Sequence, residues 1–312
     1  MASKEEKMRS GNNIFNLFKS ALSERKRKTN VKRYTRSKLG NVMYFTILTI
    51  AGLFSILPLI YCISTSFKPL DELLIFPPKI ITVERPTLEN YKVIPNLLSS
   101  LRVPLSRYIF NSIFVTVITT LLYVFVASMT AFVLAKSGLR WCKPYFVIVQ
   151  FSLLFNAYTL ALPQYLIFSK LKMIDTYWVY ILPYVATTMG VFLMKQYIEG
   201  YVPDSLIEAA KIDGAGYFRT FFQVIIPIIK PAWFTLTLFG FRDVWAAVPQ
   251  GTIFEESLKT LPQIMSQITA GGIARSGSAM AVTVIMMLPP ILIYFITQSN
   301  VVEAMSSAGI KG

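Results

Sequence analysis

The sequence predicts an all-α, polytopic membrane protein with six transmembrane helices. Three observations carry this. Of 312 residues, 54% are hydrophobic and only 15% charged, and the mean hydropathy is +0.53; a soluble domain is about one quarter charged. The apolar residues collect in six runs near the ~20 residues needed to span a bilayer as a helix. The basic residues concentrate before the first run. The length allows two soluble domains, but the runs argue for one membrane domain.

The runs are roughly Asn41–Ser66, Tyr108–Ala135, Pro144–Ser169, Tyr177–Gln196, Pro227–Val248 and Ala279–Thr297. Pro58, Pro163, Pro183 and the Pro289–Pro290 pair fall inside them, as spanning helices tolerate. The first run is too long and begins too late for a signal peptide, and it lacks a small-residue cleavage pattern. Residues 41–298 thus read as one six-helix domain, between a basic tail over 1–40 and a short tail over 299–312.

Residues 1–40 hold twelve Lys and Arg against three acids, which is +9 of the net +15. The positive-inside rule places this tail in the cytoplasm. An even number of spans then puts both termini there, in a multi-pass protein of the cell membrane. The later segments barely discriminate: eight basic residues fall on the inside, ten outside, and Arg242 in a span. Ile14, Phe15, Leu17, Phe18 and Leu22 form an apolar stripe beside Lys19 and Arg25. That is the pattern of a short helix on the inner membrane surface. The charge reads as topology and attraction to lipid, not as nucleic-acid binding.

The connection Tyr197–Ile226, expected on the cytoplasmic side, is long, charged and broken by glycine. Ser205-Leu-Ile-Glu208 has the form of a capping box, and Pro203 fits equally well as a first helical residue. Either way a helix begins near 203–205. Ala209 and Ala210 favour helix and are small enough for another surface to come close. Gly214 and Gly216 then permit a sharp turn. A second helix restarts near Tyr217, with Phe218, Phe221 and Phe222 on about one side, and leads to Pro227. A connector without a partner would also satisfy this pattern.

The spacing Glu208-Ala209-Ala210, three residues, Gly214, nine residues, Val224-Ile225-Ile226-Pro227 resembles the EAA loop of ABC importer permeases, with Val224 and Ile226 as mild departures. The chain is most similar to the smaller six-span subunit of the maltose-type carbohydrate-uptake permeases. Pro86-Thr-Leu-Glu-Asn-Tyr91, Arg107-Tyr-Ile-Phe-Asn111-Ser112 and Leu171-Lys-Met-Ile-Asp175-Thr176 resemble external motifs of that family. Lys172 stands where the family usually has Gly. The end, Gln298 to Ala308-Gly-Ile-Lys-Gly312, resembles the family tail ending in G-x-V-K-G. Phe241-Arg242-Asp243-Val244-Trp245 departs from the family's Trp-Asn pair, which bears on the substrate rather than the fold.

The resemblance implies the type I ABC importer transmembrane fold and carbohydrate import by alternating access. It implies that the loop at about 203–227 docks on a cytoplasmic ATPase dimer, through Glu208, Ala209, Ala210, Asp213 and Gly214. It further implies a second permease subunit and an extracellular solute-binding protein. ATP and Mg would belong to the ATPase, with no cofactor in this chain. No G-x-x-x-x-G-K-[ST] phosphate loop occurs, so the chain is not expected to be an enzyme. The absence of His excludes a histidine metal site and a Ser-His-Asp triad, and the distant Cys62 and Cys142 suggest neither a metal site nor a disulfide framework.

A secondary transporter is the other class in view, as is an ABC permease for a non-sugar solute. Secondary transporters often show inverted repeats and intramembrane ionisable groups. No repeat is evident here, and only Arg242 and Asp243 read as truly intramembrane, Lys195 and Lys230 lying near the inner ends of their runs. Counted from Pro231, they lie roughly 16 Å along a helix, near mid-membrane. With Trp245, Asn156 and Tyr158 they are the candidates for the substrate pathway. A structural ion pair is the alternative for the two charges. Aromatic rings suit sugars because an apolar face is joined to a polar edge.

Overall fold

A computed structural model describes residues 38–76, 79–99, 102–155, 157–249 and 251–308; these residues form helices and turns, with no strand among them. The stripe Ile14–Leu22 and nearly all of the basic tail lie outside the described residues. The chain falls into two units, Met1–Leu59 and Ile60–Gly312. In the first unit the described residues are the start of helix α1 (Lys38–Ser66), which is apolar all round, the character of a helix that meets lipid or another membrane helix.

Five helical stretches among the described residues are long and apolar enough to cross a membrane: Leu39–Ser66, Leu105–Lys136, Trp178–Tyr201, Tyr217–Trp245 and Ser276–Gln298. They account for five of the six expected runs. The third run is broken. It forms two shorter helices, Cys142–Ser152 and Ala157–Lys170, neither of spanning length alone. Between them Leu153, Leu154 and Phe155 donate to carbonyls three residues back, at 3.2, 3.0 and 3.3 Å. The α-helix has tightened there and ended. The Ser152 hydroxyl bonds back to the Ile148 carbonyl at 2.8 Å, a contact that tends to bend helices.

In the second unit the helices of eight or more residues after α1 are α2 (Glu89–Ser99), α3 (Leu105–Lys136), α4 (Cys142–Ser152), α5 (Ala157–Lys170), α6 (Trp178–Val185), α7 (Thr188–Tyr201), α8 (Asp204–Ile212), α9 (Tyr217–Trp245), α10 (Leu261–Thr269) and α11 (Ser276–Ala308). Helix α3 is the hub: α6, α7 and α9 pack on it, and α9 packs on α11. Ala127, Ser128 and Ala131 of α3 are fully buried. Helices in lipid associate through close packing, and small residues let their backbones approach. Phe132, Met194, Ile198, Phe221, Ile225, Ile229 and Leu236 fill the core around that line.

Helix α9 begins ten residues before the expected Pro227 and runs unbroken through a π turn at Phe221–Ile225. There the Ile226 N–H donates to the Phe221 carbonyl, five residues back. Pro227 has no N–H to offer the carbonyl four residues before it, so the helix widens just ahead of it. The extra residue turns Phe221 into the core, 2% exposed, and leaves Phe218 and Phe222 outside, at 69% and 50%. The three rings therefore do not share one side. Helix α11 continues through Ala308, so residues 299–308 of the expected tail are helical.

Candidate functional site

The connection between α7 and α9 is a short helix held by hydrogen bonds at both ends. Helix α8 starts at Asp204 with Pro203 as the residue before it, and no side chain caps it. Neither the Ser205–Glu208 capping box nor Pro203 as a first helical residue is formed. The start is held instead by Lys136, at the end of α3. Its Nζ donates to the Val202 carbonyl at 2.7 Å and to Asp204 Oδ1 at 2.5 Å. The Asp204 carboxylate also lies in the first turn of α8, where negative charge is favoured by the helix dipole.

The far end of α8 closes through backbone bonds. Gly214 N–H donates to the Lys211 carbonyl at 3.0 Å and Ala215 N–H to the Ala210 carbonyl at 2.9 Å, the paired bonds of a Schellman cap. Gly214 sits at φ +73°, where an L residue is strained. Gly216 has φ −71° and ψ 167°, so it does not need to be glycine for its conformation. Ile207 and Ala210 face inward and are buried, whereas Glu208, Ala209, Asp213 and Gly214 are exposed. Only one of the two alanines therefore faces outward. Leu206, Ile212, Tyr217 and Phe218 add exposed apolar surface along the same joint, Ile212 at 86%.

At the opposite end of the bundle, the motifs of three loops work as anchors. Asn90 Nδ2 donates to the Ser66 and Lys68 carbonyls at 2.9 and 2.7 Å, and Tyr91 Oη to Ser66 Oγ at 2.8 Å. Buried Asn111 donates from Nδ2 to the Ser257 and Lys259 carbonyls at 2.8 and 2.9 Å. Its Oδ1 accepts from Tyr177 Oη at 2.9 Å. Ser112 Oγ accepts from Leu261 N–H at 2.8 Å, and Arg107 Nε donates to the Ser257 carbonyl at 3.2 Å. Asp175 Oδ1 accepts from Phe254 and Glu255 N–H at 2.5 and 2.8 Å. Two motifs, one leading into α3 and one into α6, thus clamp the connection from α9 to α10. Lys172 caps the end of α5 at φ +54°, which explains why glycine suits that position.

Arg242 and Asp243 pair with each other, at 3.1 Å from Nε and 2.9 Å from Nη2 to the same Oδ1. Both are exposed. Because α9 starts at Tyr217, Arg242 lies roughly 38 Å along it at 1.5 Å per residue, in its last turn rather than at its middle. The pair lines a cavity of about 180 Å³ with Tyr123, Tyr184, Thr187 and Gly240. Trp245 is buried, stacks on Phe241 and donates its indole N–H to the Met286 carbonyl at 2.9 Å; within this chain it is a packing group. Asn156 lies outside the described residues, and Tyr158 is placed only as part of the α5 backbone.

Residues 139–307 match the family model described as "Binding-protein-dependent transport system inner membrane component". The chain belongs to this family. It is 27% identical over 304 residues to the polygalacturonan/rhamnogalacturonan transport system permease protein YtcP of Bacillus subtilis (strain 168), covering 89% of this chain and all of that one. It is 30% identical over 285 residues to protein LplC of the same organism, covering 84% and 91%. It is 25% identical over 283 residues to the arabinooligosaccharides transport system permease protein AraQ, also of B. subtilis, covering 88% and 96%. The fold matches a chain of a bacterial ABC transporter involved in import of the acidic polysaccharide alginate, with TM-score 0.70 and 21% identity, covering 85% of this chain and 98% of that one. The chain is an ABC importer permease, which decides against the secondary-transporter class.

The permease holds functional candidates that sequence reasoning passed over. Tyr123 is wedged between two helices: a Cβ on Gly190 would lie 2.4 Å from its ring and hydroxyl, and one on Gly240 2.5 Å from its ring. These three residues are far apart in sequence, and each alone is an ordinary residue of an apolar run. Lys136 likewise reads as a loop charge until its ammonium is seen on Asp204.

Proposed function

We propose that this permease imports an oligosaccharide, driven by ATP hydrolysis on a separate cytoplasmic ATPase dimer that docks on α8. The observation that carries the reading is the joint itself. A short helix is fixed at one end to α3 by Lys136 and at the other by the Gly214 cap to α9, and it presents Glu208, Ala209 and Asp213 outward. A helix braced at both ends passes displacement on to α3 and α9 rather than absorbing it. The carbohydrate transport named for YtcP and AraQ supports the substrate class.

In this reading both termini are cytoplasmic, as the basic tail argues. The broken pair α4–α5 supplies the remaining crossing. The clamped loop after α9 lies outside, where a solute-binding protein delivers substrate. One chain lines half a pathway, and a second permease subunit supplies the other half. ATP and Mg act on the ATPase and not in this chain. Binding of ATP shifts the pair between inward-open and outward-open states by favouring one of them.

Membrane vesicles from cells expressing the permease with its native partner subunits test the reading. ATP-dependent accumulation of labelled oligosaccharide and co-purification of an ATPase subunit are expected. Accumulation that follows an ion gradient and ignores ATP would contradict it.

A further inference from the structure

The cavity beside Arg242 is lined by polar groups with bonding capacity to spare. Arg242 spends both Nε and Nη2 on one oxygen of Asp243. Asp243 Oδ2 and the other guanidinium N–H groups make no bond to any described residue. Tyr123 is 4% exposed and locked between Gly190 and Gly240, yet its hydroxyl has no partner among the described residues. The Tyr184 hydroxyl has none either. The spanning stretch also breaks beside the cavity, at Ala186–Thr187, and Thr187 lines it. Irregular backbone at membrane depth is tolerated where it borders protein or a wet cavity.

We propose that Tyr123, Tyr184, Arg242 and Asp243 form a subsite for one uncharged sugar unit; this rests on the carbohydrate-importer reading above. The cavity, about 180 Å³, is smaller than the roughly 300–1,000 Å³ of drug-sized ligand sites. It takes a single ring and leaves the rest of an oligosaccharide outside. A sugar diol donates to the free Asp243 oxygen and accepts from the free guanidinium N–H groups, while each tyrosine hydroxyl does either. The partly exposed Tyr184 ring offers a flat apolar face to the C–H face of the sugar. Charge sets the specificity. The Arg–Asp pair sums to zero, and a sugar carboxylate would compete with Asp243 for Arg242. It would also bring a second anion beside Asp243, and like charges placed side by side oppose binding. The subsite therefore favours a neutral ring over a uronate.

The test uses ATP-energised membrane vesicles from cells expressing the permease with its native partners, and labelled neutral and uronate trisaccharides as probes. Saturable uptake of a neutral probe is expected. Tyr123→Phe and Tyr184→Phe each raise its KM roughly tenfold, the loss of about one hydrogen bond. Asp243→Asn shifts the uptake ratio toward the uronate probe by roughly tenfold, a change in preference that a merely structural role would not produce. Thr187→Cys reacts with a maleimide, and the neutral probe protects it. Unchanged KM in both phenylalanine variants together with no protection overturns the subsite while leaving the importer intact. So does a uronate preference that Asp243→Asn does not alter. Uptake of neither class of probe by the unaltered permease overturns the carbohydrate reading, and the subsite with it.

Discussion

Lys136 and Asp204 join the end of one spanning helix, α3, to the start of α8, with Nζ 2.5 Å from Oδ1. The two sides are not equal. The Lys136 side chain is 7% exposed and that of Asp204 80%. Lys136 also holds the Val202 carbonyl, a bond to a charged donor worth about 1.5–3 kcal/mol. The exposed ion pair itself is worth under about 1 kcal/mol. Lys136→Met should therefore destabilise the purified permease clearly more than Asp204→Asn, as read by thermal unfolding. Equal losses would mean that the carbonyl bond contributes little.

The two glycines of the joint should separate cleanly. A Cβ on Gly214 meets no atom within 4 Å, but φ +73° strains any L residue by about 1–2 kcal/mol. Gly216 is equally uncrowded and has an ordinary φ of −71°. Gly214→Ala should lower stability and ATPase retention, and Gly216→Ala should leave both close to the parent. Matching behaviour of the two variants would show that the cap is not what holds the turn.

The alanines make a second contrast. Ala209 is exposed and Ala210 is 8% exposed against its own chain. Ala209→Trp should fold and insert yet lose the ATPase in a pull-down. Ala210→Trp should overpack the joint and lower the stability of the permease itself, by about 1–3 kcal/mol. Retention of the ATPase by a well-folded Ala209→Trp variant would remove that face from the docking surface.

Lys172 offers a gain. Its φ of +54° is left-handed, so Lys172→Gly relieves about 1–2 kcal/mol of backbone strain, offset in part by the greater chain entropy of glycine. A modest rise in Tm is expected. A fall would mean that the Lys side chain, not its backbone, matters there.

The joint was legible because its information is local. Helix start, small residues, glycine and proline lie within one stretch at fixed spacing, and Gly214 proved to be the residue that the backbone requires. The spanning runs were legible because length and hydropathy are also local. What escaped was the detail that neighbours decide. The run Pro144–Ser169 is apolar apart from scattered polar residues such as Ser152 and Asn156, which spanning helices also carry, so its average hydropathy does not mark the turn at Leu153–Phe155. The helix expected to restart near Tyr217 does so, but it does not give way to a separate span at Pro227: the two are one helix, α9, with Arg242 in its last turn. Trp245 looked like a sugar platform, but its indole N–H is taken by the Met286 carbonyl. The cavity needed Tyr123, Gly190 and Gly240 brought together by packing, which no local pattern reports.

The central claim is that α8 is the contact through which the ATPase moves the membrane helices. A single cysteine at Ala209, with Cys62 and Cys142 replaced by Ser, tests it by cross-linking in native membranes. The account predicts a product containing the permease and the ATPase subunit, with a yield that changes between the nucleotide-free and ATP-trapped states. Absence of that product in every nucleotide state, in membranes that still import substrate, would contradict it.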